Sequence, residues 1–126
     1  VRPDRVEVEV AVAARRYAQT DPELITECLR RAPTLGQHAC RNGVAPVFAS
    51  VMKSTSTPHL LEHLIIDAQT RAAKDLDRVF TGTTQWSAGD ALIAQIAFSY
   101  EDDLVALDAL NRSLAFLNGV LIEQRG

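Results

Sequence analysis

His59-Leu60-Leu61-Glu62-His63 sets two imidazoles four residues apart, with a carboxylate immediately before the second. On a helix, at ~100° per residue, His59 and His63 fall one turn apart on one face, where both rings reach the same metal ion. Glu62 points about 100° round from His63, within reach of a water at the metal but off the ligand stripe. Two ligands and a general base is therefore the assignment, in the pattern H-x-x-E-H, the inverse of H-E-x-x-H. An ion of the Zn²⁺ type lowers the pKa of water from about 15.7 toward ~7 and polarises the carbonyl under attack, and a carboxylate accepts the proton. Catalytic sites of this kind take a third protein ligand and keep the fourth position open.

The first choice for that third ligand is His38, the remaining histidine, in a Gly-flanked loop of the kind that carries sites on a rigid scaffold. Cys40, two residues on, and Glu101 are the alternatives; a thiolate at Cys40 favours a softer site, in zinc or iron. Arg41 is a candidate carboxylate clamp on substrate, and Thr84 a second candidate substrate contact. A purely structural reading stands beside these. Leu60, Leu61, Leu64, Ile65, Ala68 and Ala72 form an apolar arc, with His59, His63, Asp67 and Thr70 opposite, so the helix is amphipathic with or without a metal. A site on that polar face needs a cover, from the His38 loop, a hairpin or a second subunit, and a homo-oligomer is the expectation.

The elements that position these residues follow from pattern. Val6, Val8, Val10 and Val12 alternate with Glu7, Glu9 and Ala11, which predicts a strand with one face on a core. Thr20-Asp21-Pro22-Glu23 opens a helix over about 22–31, which Pro33 stops. Val47, Phe48, Val51 and Met52 in the segment 46–53 suit a second strand or a short helix, and periodicity does not separate the two. Ser54-Thr55-Ser56-Thr57-Pro58 caps a helix over about 59–74 that carries the motif. Residues 80–86 and a strand marked by Leu92, Ile96, Phe98 and Tyr100 flank the turn at Ser87-Ala88-Gly89-Asp90 and form a hairpin. Glu101-Asp102-Asp103 starts a long closing helix whose leucines recur every three or four residues, from Leu107 to Leu121. The expected order is β-α-β-α-β-β-α, an α+β two-layer α/β sandwich with a mixed sheet and helices on one face.

With 126 residues and 47% hydrophobic content, the chain reads as one domain over 1–126, able to bury a core without disulfides or a structural metal. Thirteen Lys+Arg against sixteen Asp+Glu, a net charge of −3 and few aromatics argue against a nucleic-acid partner. Apolar runs are only a few residues long against the ~20 that span a bilayer, and no signal-peptide pattern is evident, so the expectation is a cytoplasmic protein without a membrane partner. Cys28 and Cys40 form no C-x-x-C pair, and Cys28 reads as a small core hydrophobe.

Several runs together resemble the N-terminal domain of cyanophycin synthetases: Ala32-Pro33-Thr34-Leu35, His38, Cys40-Arg41-Asn42-Gly43, Thr57-Pro58-His59-Leu60-Leu61-Glu62-His63-Leu64, Asp67-Ala68-Gln69, Phe80-Thr81-Gly82-Thr83-Thr84-Gln85 and Ile96-Ala97-Phe98-Ser99-Tyr100-Glu101-Asp102. The resemblance covers roughly residues 30–120. It implies contact with an aspartate-arginine polymer and, as in some members, a zinc-peptidase-like site that trims it. By position, His59, Glu62 and His63 match the family's H-x-x-E-H, and His38 and Cys40 match the histidine and cysteine of its loop. Asn42, Asp67 and Thr84 depart from the family's Arg, Glu and Arg, which argues against an unchanged polymer substrate. H-x-x-E-H is also similar to the motif of pitrilysin-type peptidases and of S-ribosylhomocysteine lyase, which takes a cysteine as third ligand at a subunit boundary.

The function expected is a zinc-dependent hydrolase, a peptidase or amidase acting on a peptide or small amide, aspartyl-arginine-like substrates included. His59, His63 and His38 hold the metal and Glu62 is the base. The alternatives are a non-catalytic peptide- or polymer-binding module with a vestigial motif, and a metal-dependent lyase that uses Cys40.

Overall fold

The computed structural model describes residues 3–40, 46–89 and 92–126. Three strands and three helices run in the order β1 (Val6–Ala11), α1 (Pro22–Arg31), α2 (Thr57–Ala72), β2 (Gly82–Trp86), β3 (Ile93–Phe98) and α3 (Asp103–Arg125). Short 3-10 turns lie at Arg15–Tyr17, Leu35–Gln37 and Phe48–Ser50.

Local chemistry accounts for the helix starts. Asp21 accepts a hydrogen bond from the Leu24 amide at 2.8 Å and Pro22 takes the first turn of α1. Ser56 accepts from the His59 amide at the head of α2, and Asp102 accepts from the Leu104 and Val105 amides at the head of α3. Asp102 as cap and Asp103 in the first turn thus form the helix start.

The sheet order is β1-β3-β2, and both pairings are antiparallel, so the expected mixed sheet is not what forms. The reason lies in the segment 46–53, where the order expected a second strand. It makes a 3-10 turn at Phe48–Ser50, with Phe48 and Met52, four residues apart, turned into the core and Val47 left exposed. That is helical spacing in too short a run to propagate. Without this strand, β1 and β2 flank β3, and the register stacks Val6/Phe98/Gly82, Val8/Ile96/Thr84 and Val10/Ala94/Trp86 in rows across one face. Ala94, Ile96 and Phe98 at the centre of those rows are buried.

Helix α2 packs on β2 and β3 along this face and against α3, which also meets α1. Leu24, Ile25, Leu35, Phe48, Leu60, Leu61, Ile65 and Phe98 belong to one continuous core. Cys28 is fully buried there, its thiol pushed up to about 12 chiefly by desolvation, as suits a core hydrophobe. By length and composition α3 is apolar enough to cross a membrane, with a mean hydropathy of 1.3 over its best window, and here it packs as a helix of this core.

Candidate metal centre

Part of the polar stripe of α2 is buried within the chain itself, with His59 half-buried and Thr70 exposed. Glu62, His63 and Asp67 are each 2–3% exposed. The cover comes from Phe48, from the His38 segment and from β2, so two of the three expected covers act together. Phe48 stacks on the His63 ring with centroids 4.0 Å apart and meets His59 edge-on at 5.1 Å. One side chain thereby restrains both imidazoles.

The donors that converge are Cys40, His59 and His63, one ligand atom of each lying within 4.8 Å of the others. Cys40 Sγ stands 3.5 Å from His59 Nε2. Around a tetrahedral zinc with Zn–S of ~2.3 Å and Zn–N of ~2.05 Å, the sulfur-to-nitrogen separation is about 3.6 Å, so this pair is already spaced for a shared ion. Backbone bonds from Cys40 to Pro46 at 3.1 Å and from Phe48 to His38 at 2.8 Å, with the bridge Ala39↔Val47, hold the thiol in place. On its other side His59 Nδ1 is hydrogen-bonded to Thr55 Oγ1 at 2.9 Å, which leaves Nε2 as the nitrogen able to ligate a metal. Thr55 is itself fixed by backbone and side-chain bonds to Thr20.

His38, the first choice for the third ligand, stands outside that three-donor set. Its Nδ1 lies 3.4 Å from His63 Nδ1 and its Nε2 lies 3.3 Å from Asp67 Oδ1. Asp67 also accepts from Thr34 Oγ1 at 3.2 Å, and Arg71 Nε sits 3.0 Å from its Oδ2 as an ion pair without hydrogen-bond alignment. Glu101 is elsewhere: its carboxylate accepts from the Lys74 and Asp75 amides and caps the chain leaving α2. Arg41 lies outside the described residues. Thr84, expected to touch substrate, donates its hydroxyl to Glu62 Oε1 at 2.6 Å.

Glu62 occupies space that only glycine leaves open. A Cβ on Gly82 would stand 3.0 Å from both Glu62 Cγ and Oε2, so β2 approaches the carboxylate as closely as a backbone can. The free oxygen, Oε2, lies 3.6 Å from His63 Nε2.

Burial sets the protonation states. Desolvation, then the charges of His59 and His38, lowers His63 to about 3, so it is the neutral imidazole that ligates metals. Desolvation lowers His59 as well. Glu62 is raised by burial, against the pull of Thr84 and His38. Burial alone would raise Asp67 too, but the His38 hydrogen bond, Arg71 and Thr34 together hold it below its ordinary value.

Sequence reasoning did not single out Phe48, Thr55, Gly82 or the pairing of Asp67 with His38. Asp67 carried a signal, since it stands four residues from both His63 and Arg71 on the helix.

No curated protein matches this chain. The family model of the cyanophycin synthase-like N-terminal domain matches residues 5–122, nearly its whole length. On that match, the chain belongs to the cyanophycin synthase-like N-terminal domain family.

Proposed function

We propose that this domain is a metal-dependent hydrolase of amide bonds, a peptidase or amidase of the inverted H-x-x-E-H type, with zinc as the metal and a peptide or small amide as substrate. The observation that carries this reading is the meeting of Cys40, His59 and His63 donors within 4.8 Å, beside a buried Glu62 held by Thr84. Three neutral or thiolate donors with room for a fourth group suit a catalytic zinc better than a closed structural one. Bound there, such an ion would supply acidity to water and polarise the carbonyl oxygen.

The chain's own residues do the rest. Thr84 ties down Oε1 of Glu62, which leaves Oε2 to take a proton from the attacking water. The water oxygen bonds to the carbonyl carbon, the C–N bond breaks, and Glu62 returns the proton to the leaving nitrogen. Thr55 keeps His59 in one ring orientation, and Phe48 does the same for His63. His38, anchored on Asp67, presents a second imidazole edge to His63 and so supports it without joining the three donors.

The test is metal content by elemental analysis with peptide hydrolysis, β-aspartyl-arginine included among the substrates. About one zinc per chain is expected in wild type and none in His59→Ala/His63→Ala. Glu62→Gln keeps its metal and loses roughly 10²–10⁴-fold in turnover, the range for a general base. No metal in wild type after zinc is added back overturns the reading and leaves a binding module with a polar helix. The cysteine donor also fits a metal-dependent lyase; metal-loaded protein that cleaves thioethers but not amides would select that chemistry.

A further inference from the structure

Strand β2 is an edge strand whose only neighbour is β3 among the described residues. Ser99 N donates to Thr81 O at 2.8 Å and Ser87 N to Ile93 O at 2.7 Å, so positions 81 and 87 turn their backbone groups toward β3. In an antiparallel ladder this alternates by residue, which sends 83 and 85 the same way and turns the N–H and C=O of Gly82, Thr84 and Trp86 to the open edge. That edge borders a groove it shares with His59, Glu62 and His63, whose lining includes Ala39, Cys40 and Thr55.

We propose that the substrate is an extended polypeptide that binds as an added strand along β2, its main chain paired to Gly82, Thr84 and Trp86. This deepens the hydrolase reading and rests on it. Three features carry it. The free polar groups recur at every second residue, ~6.8 Å apart, a period that an extended peptide matches. Thr84, at the centre of the row, places its backbone on the edge while its hydroxyl holds Glu62, so a chain paired there passes the carboxylate. Gly82 brings the strand to within 3.0 Å, measured from its would-be Cβ, of that same carboxylate. Recognition through the main chain fixes the scissile bond beside Glu62 and leaves side-chain preference to the groove walls.

The experiment uses zinc-loaded protein and a random decapeptide mixture, with cleavage sites read by mass spectrometry. One cleaved decapeptide is then N-methylated at each position in turn. Strand addition predicts kcat/KM losses of about tenfold at alternate residues and little change between them, one main-chain hydrogen bond being removed each time. Losses without alternation, or none at all, overturn strand addition and leave the hydrolase intact. If the mixture is not cleaved, it is titrated onto Glu62→Gln protein and backbone amide exchange is followed by NMR. Slowed exchange at Gly82, Thr84 and Trp86, with Thr83 and Gln85 unchanged, supports edge pairing while the hydrolase reading fails. Unaltered exchange at all five overturns both.

Discussion

Helices α2 and α3 invert what their compositions suggest. The longer and more leucine-rich, α3, buries five of its twenty-three residues; α2, with two histidines, Glu62, Asp67 and Gln69, buries eleven of sixteen. Position decides this. Helix α2 is enclosed by β2, β3, α3 and the Phe48 segment, whereas α3 meets α2 along one side and α1 more lightly. Enclosing five polar side chains, Thr57, Glu62, His63, Asp67 and Gln69, costs desolvation energy that a leucine would not. Named partners offset much of it: Thr84 for Glu62, His38 and Thr34 for Asp67, and the Ser99 carbonyl for Gln69. A polar interior retained at that cost sets α2, which carries the proposed site, apart from α3, whose buried residues serve packing.

The sharpest way to break the comparison is acid. In the metal-free protein His63 titrates at about 3, while in the unfolded chain it titrates near its ordinary ~6.5. Between those values the unfolded chain binds a proton that the folded one does not, so stability falls as pH drops through this window and stops falling below it. The slope approaches roughly 1.4 kcal/mol per pH unit, and His59, also lowered by burial, adds to it in the same direction. Melting curves of chelated protein from pH 7 to 4 should show this, and His63→Leu should flatten the dependence. Parallel curves for the two proteins would remove the buried neutral imidazole from the account.

Next in size is the packed side of α3. Leu117 is 4% exposed, and Leu117→Ala should cost about 2–5 kcal/mol through lost burial and the cavity left behind. Denaturant unfolding measures it, and metal content of the folded variant should be unchanged, since none of the three donors lies on α3.

A smaller effect probes the partnership of α2 with β2. Thr84→Val removes the hydroxyl that lowers the Glu62 pKa against burial, so Glu62 rises further and the acid limb of kcat/KM moves toward neutral pH. At pH 7 the loss stays within about tenfold, the worth of one hydrogen bond. A profile that keeps its shape while falling uniformly would assign Thr84 to substrate contact instead.

These contrasts also mark how far the sequence was legible. Caps and prolines placed α1 at 22–31 as observed, and the valine alternation and the hairpin turn located β1, β2 and β3. Helical spacing put His59, Glu62 and His63 together because their separations lie within one turn. What stayed hidden depended on distant chain. Phe48 reads as part of a strand or a short helix until its stacking on His63 is seen, and Cys40 meets His59 and His63 through the fold of a segment held by the bridge Ala39↔Val47. Glu101 stood as an alternative ligand at the end of the last strand, yet the Lys74 and Asp75 amides past the end of α2 hold its carboxylate.

The smallest effect lies on the outer side of α3. Leu104 is 74% exposed at the first turn of the helix, where Asp102 already satisfies the free amides of Leu104 and Val105. Leu104→Ser removes little buried area and opens no cavity, so folding stability should move by no more than about 0.5 kcal/mol. The same exchange at Leu61, 1% exposed on α2, would sink a hydroxyl into the core beside the site and should cost several-fold more. Denaturant midpoints for the two variants compare the helices directly. Equal losses would mean that the exposed side of α3 is covered in solution by something that buries Leu104, and the contrast between a helix that carries the proposed site and one whose buried residues serve packing would then have to be redrawn around that contact.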